Sequence, residues 1–280
     1  MYPVLRRGAE GPEVERLQRR LLERGFRPGR IDGRFGPATE AAVIAFQLAS
    51  DLLPDGVVGP LTWRALEPGA DVPLPDATRW VDVELVSDMF PHTPIGPIRR
   101  HLPLVLEALR AFGLQDKPLV LVALATIRAE SEGFEPVDER PSRFNTSPDG
   151  RPFDLYDWRS DLGNLGPDDG ARYRGRGFVQ LTGRDNYRRC GAGIGLGDAL
   201  LHAPERANEP EIAARLLAFF LFERKRAIKR AVFEGDLLRA RRLVNGASHG
   251  YERFREAFRI GDRRIPDAVW LASREELRAA

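Results

Sequence analysis

"KPLVLVALATIRAE", Lys117 to Glu130, is apolar around nearly its whole circumference. A helix that is apolar on every face has to be buried on every face. The stretch therefore predicts the central helix of a mainly α-helical domain, with Gly133 as its stop. A second helical stretch, Ile98 to Phe112, precedes it. Glu130 stands where the central helix leaves the core. A carboxyl group there is poorly solvated when ionised, which favours a retained proton and suits the group to proton donation near neutral pH. A solvated last-turn Glu fits this one feature equally well.

The acids downstream carry more weight. Glu132, Glu135, Asp138 and Glu139 form a run in a predicted loop. Such a run is by default a solvated surface. Hydrolysis of a glycosidic bond, however, needs two carboxyl groups across a cleft, one to protonate the leaving oxygen and one to activate water or attack carbon. A helix-end acid and a loop acid on the facing wall supply that pair.

"RGRGFVQLTGRDNY", Arg174 to Tyr187, approaches an RNA-binding signature in its first eight residues. The signature stacks bases on aromatics at its third and eighth positions, which here are Arg176 and Leu181. Without a stacking platform the RNA reading fails. Instead, Arg172 to Gly177 reads as a Gly- and Arg-rich surface segment and "FVQL" as a short extended one. Thr182 is expected to cap a helix over "GRDNYRRC", with Asp185 completing a capping box. Gln180, Asn186 and Tyr187 then gather near one turn. Amides and a phenol suit a sugar-binding cleft, though capping and core hydrogen bonding use the same groups.

Composition narrows the function classes. The 280 residues suffice for two unequal domains. The formal net charge of +2 gives no global field to hold a polyanion. One cysteine, Cys190, excludes an intrachain disulfide, and four scattered histidines argue against a structural zinc site. Neither a metal nor another cofactor is expected. "GAGIGLG", Gly191 to Gly197, lacks the strand and helix of a dinucleotide site and reads as a glycine-rich loop. Cys190 and His249 read as packing or hydrogen-bonding residues, not as a nucleophile and base. No apolar run is long enough to span a membrane, and no export signal is legible at the N-terminus. Residues from Phe222 to Arg242, Arg241 among them, form a basic stretch whose default reading is a solvated helix face.

"EPGADVPLPDATR", Glu67 to Arg79, supports neither helical nor strand periodicity and reads as a linker. Before it lie three short helices: one carrying Val14, Leu17, Leu21 and Leu22 and stopped at Gly25, one from about Thr39 carrying Ala42, Val43, Phe46 and Gln47, and one over Leu61 to Leu66. Between them is an internal repeat. "DGRFGPAT" at Asp32 and "DGVVGPLT" at Asp55 share Asp-Gly-x-x-Gly-Pro-x-Thr, 23 residues apart. Each reads as a turn leading into a helix start.

With Gly8, Gly11, Val14, Leu17 and Gln18, and then Asp32, Gly33, Phe35, Gly36 and Thr39, residues 5–66 resemble the small three-helix peptidoglycan-binding domain of many cell-wall hydrolases. The resemblance implies a wall-anchoring module. A second resemblance rests on "RAESEGFEPVDE", "RGRGFVQLTGRDNY" and "ARRLVNG". Over about Val86 to Ile265 these are similar to the catalytic domain of glycoside hydrolase family 19, in its bacterial and phage lysin form. That likeness implies Glu130 as general acid, Glu139 as the carboxylate that positions water, and Gln180, Asn186, Tyr187 and Asn245 on cleft-lining positions. It also implies inversion by direct attack of water, without metal. Four positions depart from the pattern: Ala129 in place of His, Glu132 and Ala247 in place of Gly, and Pro141 in place of a hydroxyl residue. They leave Asp138 and Glu135 open as partners, and Glu132 is expected to repel charge on Glu130.

The expected architecture is a peptidoglycan-binding domain over residues 1–66, a linker over 67–79, a lysozyme- or chitinase-like α-helical catalytic domain over 80–265, and a tail over 266–280. The expected activity is cleavage of β-1,4 bonds in peptidoglycan by a monomer with no nucleic-acid partner. It would be stored in the cytoplasm until release. A chitinase and a non-catalytic wall-binding protein are the alternatives.

Overall fold

The computed structural model describes residues 2–50, 52–70, 76–245 and 250–266. Among them the protein is mainly α-helical, with one two-stranded antiparallel ribbon. The chain divides into two compact units, the first reaching Ala77 and the second spanning Thr78–Ile265. Residues 267–280, read as a tail, lie outside the described residues.

The first unit holds α1 (Pro12–Glu23), α2 (Pro37–Ala49) and α3 (Pro60–Leu66). Each opens on a proline directly after a glycine. Proline suits that place because its fixed φ is already helical and its missing N–H would have no partner in the helix. Val14, Leu17, Leu21, Val43, Phe46, Trp63 and Leu66 close the core.

The repeat proves to be built around two buried glutamines. Gln18, on α1, donates from Nε2 to Asp32 Oδ1, Arg34 O and Thr39 Oγ1 at 3.0–3.2 Å. Its Oε1 accepts from the backbone N–H of Asp32 and of Gly33, both at 3.0 Å. Gln47, on α2, repeats the pattern with Asp55, Val57 and Thr62, and accepts from the Gly56 N–H at 3.0 Å. Each turn thus folds over one amide that meets polar groups the core would otherwise strand. Past Leu66, inside the expected linker, Glu67 still belongs to this unit. It receives Arg16 at 2.6 Å and Arg20 at 3.0 Å, and its carboxyl is held down at about 2, chiefly by the Arg16 hydrogen bond.

The second unit packs α4 (Val83–Met89), α5 (Ile95–Ala111) and α6 (Lys117–Ser131) with α10 (Pro210–Phe222), α11 (Lys225–Phe233), α12 (Leu237–Asn245) and α13 (Tyr251–Arg264). The short helices α7 (Asp169–Arg172), α8 (Arg184–Gly193) and α9 (Ala199–His202) complete it. Residues 117–129 of α6 are all buried, as the opening stretch requires. Asp116 caps the helix start, accepting from Leu119 N at 3.3 Å. The fully buried Lys117 reaches both Oδ1 and the backbone carbonyl of Asp262 at 2.8 Å, while Arg253 donates to Ala129 O at 3.4 Å. The start of α6 therefore meets the end of α13 and its end meets the start of α13, an antiparallel pair. Close approach requires Gly261, since a Cβ there would lie 2.4 Å from a methyl of Leu121.

Several local expectations change. The glycine stop is not Gly133: Glu132 takes the left-handed turn at φ 37° and Phe134 a second one at φ 54°. Tertiary packing overrides propensity, because Phe134 is fully buried against Phe90 and Phe178, at ring separations of 5.0 and 6.1 Å. The extended segment is Arg176–Gly177 rather than "FVQL". Arg176 is a core residue despite its charge: Nη1 donates to Tyr187 Oη and Arg172 O, each at 2.8 Å, and Asp138 lies 2.9 Å from Nε as an ion-pair partner without hydrogen-bond geometry. Thr182 does not cap α8. Its hydroxyl turns back to Gln180 O, and Gly183 occupies the cap.

Candidate active site

After the turn at Phe134, β1 (Val137–Asp138) pairs antiparallel with β2 (Arg176–Gly177), in the register Val137 to Gly177 and Asp138 to Arg176. Glu139 follows directly and extends the pairing, its N–H donating to Gly175 O at 2.8 Å. Its carboxyl group receives three donors: Gly175 N at 3.0 Å on Oε2, and Asn145 Nδ2 and Tyr156 Oη, each at 2.9 Å, on Oε1. In all three contacts the carboxyl oxygens accept. Space at Gly175 is tight, since a Cβ would stand 2.8 Å from Gln180 Oε1 and 3.0 Å from Glu139 Oε2, so a larger residue would push on both side chains. Burial, and then the charge of Glu139, push the Tyr156 phenol well above its usual value, so it stays a donor across the physiological range.

The competing acids are engaged otherwise. Asp138 lies between Arg174 at 3.1 Å and Arg176 at 2.9 Å, and Glu135 pairs with Arg100 at 3.8 Å near the surface. Among the described residues Glu139 has hydrogen-bond donors and no ion pair. It also lines an open cavity of about 570 Å³ together with Asp138, Arg140, Phe153, Arg174 and Asn208. Glu130 is not among the residues lining this cavity.

Glu130 sits in the last turn of α6 with 9% of its side chain exposed, 2.6 Å from the guanidinium of Arg241 on α12. The Arg241 side chain is fully buried, so its place in a solvated basic face is corrected. Burial alone would favour a protonated Glu130; a guanidinium at this distance opposes that. Glu132 is half exposed and paired with Arg253, so the expected repulsion is neutralised beside its source. The rest of the basic stretch is also largely paired internally: Arg230 and Arg239 with Glu234, Arg224 with Glu223, and Lys229 with Asp116.

The residues expected to line the cleft separate by role. Gln180, in a left-handed conformation at φ 52°, donates to Val137 O at 2.8 Å and Gly177 O at 3.2 Å, stapling the ribbon. Asn186 is half-buried, donates to Thr182 O and accepts from Arg189. Tyr187 is fully buried. Its hydroxyl donates to Arg174 O and accepts from Arg176, both at 2.8 Å, so it lies beneath the ribbon and not on a cleft wall. Asn245 ends α12; its side chain, like residues 246–249 with His249, lies outside what is described. Sequence patterning missed Arg241, Asn145 and Tyr156. The doublet Arg241-Arg242 gives no sign of which arginine faces inward, and Asn145 and Tyr156 sit in a loop without periodicity.

No group of three or more potential metal ligands occurs among the described residues. Cys190 is buried, and burial pushes its thiol up to about 11, which fits packing rather than nucleophilic chemistry. No helix among the described residues is long and apolar enough to cross a membrane.

Residues 10–66 match the family described as "Putative peptidoglycan binding domain". The chain is 45% identical over 68 residues to the zinc D-Ala-D-Ala carboxypeptidase of Streptomyces albus G, covering 22% of this chain and 26% of that protein. It is 44% identical over 54 residues to the acidic endochitinase pcht28 of Solanum chilense, covering 19% and 21%. The chain thus spans about a quarter or less of the length of these curated relatives. Among solved structures, chitinase C of Streptomyces griseus aligns over 65% of this chain and 77% of its own, with 19% identity and a TM-score of 0.46.

Proposed function

We propose that this chain is a cell-wall lytic glycosidase that hydrolyses β-1,4 bonds of peptidoglycan glycan strands, with Glu130 and Glu139 as its carboxyl pair. The observation that carries the reading is the contrast between the two acids. One is buried against a buried guanidinium, and the other is held by three neutral donors beside an open cavity. Pairs of carboxyl groups in unlike environments take unlike roles.

In this mechanism Glu130 gives its proton to the glycosidic oxygen as the bond to the anomeric carbon breaks. Glu139 takes a proton from the water that attacks that carbon. Proton donation leaves charge on Glu130, and Arg241 at 2.6 Å stabilises the carboxylate that forms. The N-terminal module supports the same substrate, since residues 10–66 match a peptidoglycan-binding family. Such a module raises the local concentration of the enzyme at an insoluble polymer. Chitin is the second substrate reading, favoured by the stretch similar to an endochitinase.

The test is release of reducing ends from purified sacculi. Glu130→Gln and Glu139→Gln are each expected to lower the rate by about 10²–10⁴-fold with sacculus binding retained. Asp138→Asn, which weakens the ion pairs with Arg174 and Arg176 on the same cavity wall, should cost less than about tenfold by the same scale. New free amino groups without reducing ends would refute the glycosidase reading. Soluble products from colloidal chitin alone would move the substrate to chitin.

A further inference from the structure

Two of the three donors on Glu139 have a strongly exposed aromatic beside them. Phe144, 72% exposed, directly precedes Asn145, and Trp158, 66% exposed, follows Tyr156 by two residues. Neighbouring Cα atoms are about 3.8 Å apart and two residues span at most about 7 Å, so both rings are attached close to the residues that grip the carboxylate. The loop that carries them is internally fixed. Leu155 N donates to Asn145 O at 3.2 Å, Phe153 N to Thr146 Oγ1 at 3.0 Å, and Ser147 N to Asp154 Oδ1 at 2.8 Å. Asn164 Nδ2 holds Tyr156 O at 2.7 Å.

Trp158 is also strained. It sits at φ 58°, a left-handed conformation that bulky residues rarely adopt, while its indole stays in solvent. Core packing therefore does not explain the strain, as it does for the fully buried Phe134. Residues held in sparsely populated backbone conformations by their surroundings cluster at active sites and ligand clamps.

We propose that Phe144 and Trp158 form an aromatic platform that stacks against sugar rings of the glycan strand and extends its binding site beyond Glu139. The proposal rests on the glycosidase reading for its ligand, a chain of β-1,4-linked N-acetylated sugars. Pyranose rings expose apolar C–H faces that pair with aromatic rings, and their hydroxyls stay in water at the rim. The guanidinium of Arg143, 4.9 Å from the Phe144 ring centroid, adds a donor beside that ring for such hydroxyls.

The test is isothermal titration calorimetry with a soluble hexamer of N-acetylglucosamine, in a Glu130→Gln background so that turnover does not intervene. Trp158→Gly is the chosen variant because glycine adopts φ 58° without strain. The expected result is a thermal midpoint equal to or above that of the parent, with hexamer affinity weakened roughly three- to tenfold. Phe144→Ala should act in the same direction, and Trp158→Tyr should restore most of the affinity. On sacculi the Trp158→Gly substitution in the otherwise unaltered chain should raise KM more than it lowers kcat. Hexamer affinity unchanged in Trp158→Gly, or no hexamer binding by the parent, overturns the platform. The two readings fail separately. Turnover with unchanged hexamer affinity removes the platform alone, whereas Trp158-dependent binding without released reducing ends removes the glycosidase alone.

Discussion

Replacing Gln18 by methionine keeps side-chain volume in the first unit and deletes only the amide. It strands the N–H groups of Asp32 and Gly33, which have Gln18 Oε1 as their acceptor. Asp32 Oδ1 keeps Arg34 N, and Thr39 keeps Pro28 O, so those groups lose less. A stranded buried group such as the Gly33 N–H costs about 1–3 kcal/mol and the part-buried Asp32 N–H less, giving about 3 kcal/mol for the pair. A unit of this size has only about 3–10 kcal/mol in total, so its thermal midpoint should fall by roughly 10–20 °C. In Gln47→Met the Gly56 N–H is the backbone donor that loses its acceptor, so the cost should be about half. Scanning calorimetry of the full chain reads the effect, and the fluorescence of the fully buried Trp63 assigns the shifted transition to this unit. Two variants as stable as the parent, or Gln47→Met the more damaging, would refute the idea that each turn folds over its glutamine.

Two further outcomes follow from buried charge. Arg241→Met should cost about 3–5 kcal/mol in chemical denaturation, because Glu130 is left buried without the guanidinium. The double variant with Glu130→Gln should recover most of it, and failure to recover would show that Arg241 stabilises through packing alone. His101 is 3% exposed, with its ring 5.9 Å from Phe178, and burial, then Arg100, hold it below its ordinary value of 6.5 against the weaker opposing pull of Glu135 and Glu211. The unfolded chain therefore takes up a proton at higher pH than the fold does, so stability should fall as pH drops below about 6.5. That slope should shrink in His101→Phe, as measured by thermal midpoints between pH 8 and pH 5. An unchanged slope would place the acid sensitivity elsewhere.

What depends on periodicity and on short-range chemistry was legible along the chain. The all-apolar run from Lys117 read as a buried helix, and the Gly-Pro starts placed α2 and α3 to within a few residues. The two Asp-Gly turns were legible as turns, and Glu130 as an acid at the edge of the core. Partnership across the chain was not legible, because local patterns carry no record of which distant group meets a charge. Only the tertiary structure turned Arg241 inward to Glu130 and made Arg176 and Tyr187 parts of the core. It also gathered Asn145, Tyr156 and Gly175 from three separate segments onto Glu139. It placed the left-handed turn at Glu132 in preference to Gly133, since burying Phe134 outweighs the conformational preference of one residue. Solvation of a polar side chain is decided by what the rest of the fold leaves around it, and that is set only when the helices pack.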